Sequence, residues 1–445
     1  MEGNLLHMEP KVLVYPFGDR SFTSTLYYGQ DCRESLRGLP DKSVHCVVTS
    51  PPYFNLRDYG TGEWEGGDPL CNHLKTVDAQ KAVQGSTLEG GKKTTGHQQE
   101  GFLAQCGRCG AIRVDQQIGM EENPQDYVQS LVEVFREVWR VLRDDGSLWL
   151  NLGDSYSGSG KGPVSEGSKQ KSNPAACIGS RNGKKMLESC TLKPKNLYGI
   201  PWRVALTLQE EGWYLRSDII WSKSSVMPES VGDRPTRSHE YLFLLTKKGQ
   251  YFYDSFAVKE PLLHPNASGT YGTKHVHAGN PQYSHSGRSY VPPVGGRNRR
   301  SVWVVNPRPY AGAHFAVYPP ELVDPCVKAG TSEKGCCPSC GSPWERLTSG
   351  DADNIEAHSD ILAGWSPTCD CPPQDPIPCT VLDIFSGSGT TGYVANRLGR
   401  NYIGLDLNGK YLPLAENRIL GVDAPIEEDP IEVVPNVLDL FEWLS

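Results

Sequence analysis

Three groups of residues in this sequence have the types and spacing to do chemistry. The first is Ser50-Pro51-Pro52-Tyr53, which follows directly on the apolar run Val44-His45-Cys46-Val47-Val48-Thr49. Two prolines remove two N–H donors and hold the chain extended. Carbonyl oxygens and a serine hydroxyl are then left to accept hydrogen bonds from an amino group, with an aromatic ring beside them. Such a strip suits a planar base whose amino nitrogen must be held and made nucleophilic. A Pro-Pro turn that merely caps a strand is the plain alternative.

The second group is Ser386-Gly387-Ser388-Gly389-Thr390-Thr391-Gly392, a tight turn between the apolar run Thr380–Phe385 and a helix ending near Gly399. Glycines let a backbone approach a ligand closely, and a helix N-terminus offers unpaired N–H donors. Asp406 closes the next strand 19 residues after Gly387, well placed to accept hydrogen bonds from ribose hydroxyls. The turn also matches Gly-x-Gly-x-x-Gly, so a nicotinamide dinucleotide and an oxidoreductase must be weighed. Only 39 residues follow Asp406, too few for the second half of a dinucleotide-binding sheet. The rest of the sheet must come from earlier in the chain, which implies a permuted order and some other nucleoside-containing cofactor.

The third group is cysteine. Cys337-Pro338-Ser339-Cys340-Gly341 with Cys369-Asp370-Cys371 supplies four thiols, and Cys71-Asn72-His73 with Cys106-Gly107-Arg108-Cys109-Gly110 supplies three thiols and an imidazole. Both sets read as closed structural zinc sites rather than catalytic ones, each stapling a segment too polar to fold alone. Free buried thiols are the alternative.

These groups need an α/β scaffold. The continuously apolar run at 44–49 fits a parallel strand covered on both faces. Val128, Leu131, Val132, Phe135, Val138, Trp139 and Leu142 fall at helical spacing, ended by Asp145-Gly146 and followed by a strand at 147–152. A helix at about 201–211 and strands near 214–222 and 240–246 follow. Residues 1–25 form an N-terminal extension without a readable pattern, and 421–445 an acidic tail.

Across 445 residues the formal charge is −8, which excludes a protein that coats nucleic acid by bulk attraction but leaves room for a local basic cleft. No signal peptide and no membrane-spanning run is apparent, so a soluble, cytoplasmic protein without a membrane partner is expected. Fourteen Cys in that setting point to metal rather than disulfides.

The three blocks Thr49–Tyr53, His314-Phe315-Ala316-Val317-Tyr318-Pro319-Pro320-Glu321-Leu322 and Asp383–Thr391 resemble, in that order, the permuted, beta-class amino-methyltransferases of DNA. Trp149–Tyr156 and Ile219–Lys223 through Arg234 to His239-Glu240-Tyr241 also look like members of that family. The resemblance implies a permuted Rossmann-like methyltransferase fold, a mixed seven-stranded sheet with helices on both faces, plus the two zinc-stapled insertions.

It divides the chain into a strip-bearing part at 26–53, an insertion at 54–122, a continued methyltransferase domain at 123–256 with a basic loop at 157–196, and a target-recognition region at 257–305. A cofactor segment at 306–332, a zinc-binding insertion at 333–379 and the Gly-rich unit at 380–420 complete it.

The resemblance also implies the reaction and its residues. Ser50, Pro51, Pro52 and Tyr53 would hold a flipped base while S-adenosylmethionine supplies the methyl group. Asp31, Thr49, His314, Phe315, Ser332, Asp383, Phe385, Ser386, Gly387, Gly389, Thr390 and Asp406 would surround that cofactor. Ser-Pro-Pro-Tyr favours N4 of cytosine over N6 of adenine. A zinc protein that binds DNA without catalysis is the rival of another class.

Arg288, Arg297, Arg299, Arg300 and Arg308 with Trp303 form a basic, aromatic stretch that is expected to contact double-stranded DNA; a solvated loop is the alternative. A cognate restriction endonuclease is a further expected partner, the protein itself being a monomer or homodimer.

Overall fold

The computed structural model describes residues 9–73, 105–157, 192–261, 269–270, 289–290, 296–307, 317–348 and 362–421, apart from 18–19, 55, 57–58, 60, 72, 122, 194, 227 and 230. The acidic tail beyond Gly421 and most of the basic loop lie outside them.

The central sheet is built from β1 (Lys11–Phe17), β2 (Arg20–Tyr28), β3 (Val44–Thr49), β4 (Leu142–Leu152), β5 (Tyr214–Ser222), β6 (His239–Thr246), β7 (Val302–Val304), β8 (Thr380–Asp383) and β9 (Asn401–Asp406). Their order across the sheet is β1-β2-β9-β8-β3-β4-β6-β5-β7. β2, β9, β8, β3 and β4 run parallel; β1 and β6 are antiparallel to their neighbours, as is β5 to β6, and β7 runs parallel to β5.

The mixed, permuted sheet is as expected, but among the described residues it has nine strands rather than seven. One addition comes from the N-terminal extension, where Leu13 and Tyr15 face the core while Val12 and Val14 face out. That alternation makes a half-covered edge strand.

Helices cover both faces. α1 (Cys32–Arg37), α2 (Pro124–Val141) and α3 (Ile200–Glu210) bury Leu36, Leu131, Phe135, Val138, Val204 and Leu208 in one core. α4 (Pro320–Gly330), α5 (Thr390–Arg397) and α6 (Leu412–Ile419) bury Val323, Val327, Val394 and Ile419 in the other. α2 starts sharply because Asn123 caps it, accepting the Asp126 N–H, with Pro124 in its first turn. It ends at Val141, and the chain enters β4 at Leu142, before the Asp145-Gly146 pair expected to stop it.

The sheet's centre positions the site. β3 and β8 are adjacent and parallel, pairing Cys46 with Val381 and Val47 with Leu382. Their carboxyl ends therefore open side by side, where the strand order reverses and ligands of α/β sheets bind.

Candidate active site

Strand β3 delivers Thr49 and the strip Ser50–Tyr53; β8 delivers Asp383 and the Gly-rich turn. The two are tied together by Thr49 Oγ1, which donates to Asp383 Oδ1 at 2.7 Å. Asp383 also accepts from the Thr391 hydroxyl at 2.7 Å, the Tyr318 hydroxyl at 2.8 Å and the Phe385 N–H at 3.1 Å. Burial pushes its carboxyl up while these donors pull it down. With its oxygens so engaged, Asp383 braces the strip against the turn and is not a wall of the cavity.

That cavity has a volume of about 1040 Å³, at the upper end of the range for small-molecule sites. All four strip residues line it, together with Asp31, Tyr318, Phe385, Gly387 and Asp406. Asp406 Oδ2 accepts the Gly387 N–H at 2.7 Å and Oδ1 the Asn408 N–H at 2.8 Å. Burial raises its carboxyl to about 6. Gly387 (φ 52°) and Gly389 (φ 78°) take left-handed backbone that favours glycine. Asp31 caps α1 through the Arg33 N–H and pairs with the Arg33 guanidinium at 2.7 Å.

Several expected cofactor contacts fall elsewhere. The Ser386 hydroxyl sits between those of Tyr28 and Tyr402, 2.7 Å from each, and Gly389 packs on Ala415. With buried Thr390 they build the turn rather than face the cavity. Ser332 is likewise not among the lining residues. α4 begins beside Tyr318 and runs 11 residues back along the sheet, so Ser332 ends up where the strands start, at roughly 1.5 Å per residue of helix. His314 and Phe315 lie outside the described residues.

Two residues without a role assigned from sequence complete the strip. Asn151, on β4, accepts from the Ser50 hydroxyl at 3.2 Å through Oδ1, which is 3.0 Å from the Tyr53 hydroxyl. Its Nδ2 points at the Tyr241 carbonyl at 3.1 Å, an acceptor, which settles the orientation of the amide. The serine hydrogen is thus committed to Asn151, and the lone pairs of Ser50 remain for an incoming donor. Glu240 Oε2 takes the Tyr53 hydroxyl at 2.5 Å, and its other oxygen pairs with Lys223, whose ammonium lies 4.1 Å from the Trp221 ring centre. Gly153 lies so close to the Tyr53 ring that an added Cβ would come within 2.4 Å of Cε2. The signal for Asn151 was available: a single amide inside the apolar run Trp149–Leu152.

The expected DNA-contacting stretch is largely spoken for. Arg297 and Arg300 pair with Glu260, at 3.3 and 3.0 Å, and Arg299 stacks on Trp303 at 4.4 Å. Trp303 is buried, its indole N–H donating to the Arg300 carbonyl, so it is a core residue and not a base-stacking one. Arg288 and Arg308 lie outside the described residues. The cations that do line the cavity are Lys223 and Arg237.

Both expected metal sets converge. Cys71, His73, Cys106 and Cys109, and separately Cys337, Cys340, Cys369 and Cys371, bring one ligand atom each to within 4.8 Å of one another. Backbone N–H groups of Cys109 and Arg108 pull the Cys106 thiol down to about 6, and Ser342 does the same for Cys340. Cys71, Cys369 and Cys371 in the same sets are shifted the other way, upward. His45, Cys336 and Cys379 also lie together, buried. There Nδ1 of His45 accepts the Thr380 N–H at 3.1 Å and Nε2 donates to the Gly341 carbonyl at 2.9 Å, so both ring nitrogens are satisfied without an ion.

Residues 44–338 and 378–417 match the family model described as DNA methylase, of N6 and N4 methyltransferases. The Type II methyltransferase M.Cfr9I of Citrobacter freundii is 36% identical over 403 residues, 91% of this chain and 90% of that one. The Type II methyltransferase M.SmaI of Serratia marcescens is 35% identical over 390 residues, 88% of this chain and 89% of that one. The solved structure of PvuII DNA methyltransferase (cytosine-N4-specific) aligns over 90% of this chain and 88% of that one at 15% identity, with a TM-score of 0.45, too loose a likeness to add to the sequence relationship.

Proposed function

Because the chain belongs to the DNA methylase family of N6 and N4 amino-methyltransferases, we propose that it is a site-specific Type II enzyme that methylates N4 of a cytosine flipped out of double-stranded DNA. The observation that carries this reading is the Thr49–Asp383 bond, which sets an amino-accepting strip and a nucleoside-binding turn on one cavity.

Bound S-adenosylmethionine supplies an electrophilic methyl group. Asp406 would hold its ribose, with Gly387 and Phe385 flanking it, Asp31 near its adenine and Tyr318 near its methionine end, all of them lining the cavity. Ser50 accepts one hydrogen of the base's amino group, since its own is held by Asn151. The Pro52 carbonyl is taken by the Tyr127 hydroxyl at 2.9 Å, so the backbone acceptor for the second hydrogen is the Pro51 carbonyl. Both bonds strengthen as positive charge builds on the nitrogen, and thus favour the transition state over the ground state. Tyr53 stacks on the base and fixes its plane; orientation and exclusion of water supply most of the rate. The choice of cytosine rests on Ser50, a neutral acceptor where an acidic residue would mark adenine enzymes of this family.

The two four-ligand sets would each hold a structural zinc ion. Arg143 donates to the Cys340 carbonyl at 2.7 Å and His45 to that of Gly341, so the 337–340 knuckle docks at the opposite end of β3 from the strip. A companion restriction endonuclease is the partner a Type II role implies.

The test is incubation with DNA and methyl-labelled S-adenosylmethionine, digestion to nucleosides and mass spectrometry. Label in N4-methyldeoxycytidine is expected. Label confined to N6-methyldeoxyadenosine would overturn the base, and no label despite bound cofactor would overturn the reaction.

A further inference from the structure

Glu240 is a carboxylate inside the cavity, yet it neither reaches the Gly-rich turn nor belongs to the strip. It holds three partners at once: the Tyr53 hydroxyl at 2.5 Å, the Asn151 amide nitrogen at 3.4 Å and the Lys223 ammonium. Glu240 and Lys223 side chains are each 17% exposed. Such a pair is costly to desolvate and stabilises a fold poorly, whereas breaking it leaves a charge uncompensated. A pair of this kind in a working cavity calls for a use.

The use is legible in the donors. Tyr53 has one hydroxyl hydrogen, and Glu240 takes it, which fixes the rotation of the ring from its far end. Gly153 backs the same ring, where a Cβ would collide. Asn151 is held by Glu240 and the Tyr241 carbonyl on its amide side, so its oxygen is turned to Ser50. One carboxylate thereby sets both the stacking surface and the hydrogen-bonding polarity of the serine. Lys223 pairs with that carboxylate through its other oxygen, and the Trp221 face holds the ammonium in place.

We propose that Glu240 is a positioning residue for base capture, presetting Tyr53 and Asn151, and through Asn151 Ser50, before the base enters. The inference rests on the amino-methyltransferase reading above. Without Glu240, each captured base must order the tyrosine ring and two side-chain amide and hydroxyl groups itself, and that ordering cost falls on binding of the base.

The test compares Glu240→Ala, the milder Glu240→Gln, Tyr53→Phe and the Glu240→Ala/Tyr53→Phe double variant in the full chain. Each is measured for methyl transfer, for S-adenosylmethionine affinity by calorimetry, and for capture of a 2-aminopurine placed at the target position by fluorescence. Expected are a 10- to 100-fold loss of kcat/KM for DNA and a weakened 2-aminopurine signal in Glu240→Ala, with cofactor affinity within twofold. Glu240→Gln keeps an acceptor for Tyr53 and loses less. The double variant loses less than the product of the two single losses, because both act through one contact. Unchanged transfer by Glu240→Ala, strictly multiplicative losses, or loss of cofactor binding would each overturn the inference while leaving the reaction standing. No transfer by the unaltered chain would overturn both.

Discussion

Thr49 and Asp383 lie 334 positions apart in sequence and 2.7 Å apart in the fold, joined by a buried hydrogen bond between the Ser-Pro-Pro-Tyr strip and the Gly-rich turn. Strand β3 and strand β8 meet there at the centre of the sheet, so neither half of the site is complete without the other.

Removing that bond should therefore loosen the site without emptying the core. Thr49→Val keeps the shape and leaves Asp383 short of one donor, a loss of about 1–3 kcal/mol for a buried charged acceptor. Chemical denaturation checks it, with cofactor affinity expected to fall in parallel. A variant as stable as the unaltered chain would show that Asp383 is satisfied by its other donors.

Cofactor affinity should depend on pH through Asp406, whose buried carboxyl is raised to about 6. Only the carboxylate accepts two ribose hydroxyls, so affinity falls about tenfold per unit once pH drops below 6. The sign for the empty protein is opposite. A raised carboxyl binds its proton more readily folded than unfolded, so its contribution to stability is full below about 4 and lost as pH rises through 6. Calorimetric titrations between pH 5 and 8 check this, and Asp406→Asn should flatten the profile. A flat profile in the unaltered chain would remove Asp406 from the ribose site.

Zinc analysis should return two ions per chain, and chelation should destabilise the fold, since a structural zinc site contributes binding energy of order 10 kcal/mol in isolated zinc domains. Cys340→Ser should retain one ion and lower the thermal midpoint, because the knuckle is docked on Arg143 and His45 at the base of the sheet. Full stability in a strong chelator, with no zinc bound, would contradict both sites.

Gly153→Ala should separate positioning from folding. The new Cβ meets the Tyr53 ring at 2.4 Å, and the ring has to move. A displacement of about 1 Å in a group that orients the reactant is worth roughly 10²-fold in rate. Steady-state kinetics with an unchanged far-ultraviolet spectrum check it; normal turnover would mean that the Tyr53 ring is not set by Gly153.

Legibility differed by feature for physical reasons. The strip, the turn and the convergence of both cysteine sets were readable because each is built from residue types whose backbone or ligand chemistry is restrictive: consecutive prolines, left-handed glycines, paired thiols. Glu240 was not, nor was its partnership with Asn151, since the two come together only when β4 pairs with β6, setting Asn151 opposite Leu242. Trp303 was misjudged from the basic composition around it. The alternation Val302-Trp303-Val304, with both valines exposed and the indole buried, is that of an edge strand facing the core. The same alternation in Val12–Tyr15 was the overlooked sign of the N-terminal hairpin, whose strands flank Gly18-Asp19 in the sequence.

The most direct measurement of the central claim compares Ser50→Ala and Tyr53→Ala with the unaltered chain, determining turnover on DNA and S-adenosylmethionine affinity on the same preparations. If Ser50 and Tyr53 are placed against the base and not the cofactor, turnover should fall about 10- to 100-fold or more in each: Ser50→Ala loses one hydrogen bond to a developing charge, and Tyr53→Ala loses the surface that orients the base. Cofactor affinity should stay within a factor of about three, well under the 1.4 kcal/mol of a tenfold change. Variants that keep the fold and turnover but lose the cofactor, or that lose neither, would contradict the placement of the target base on the Thr49–Tyr53 strip.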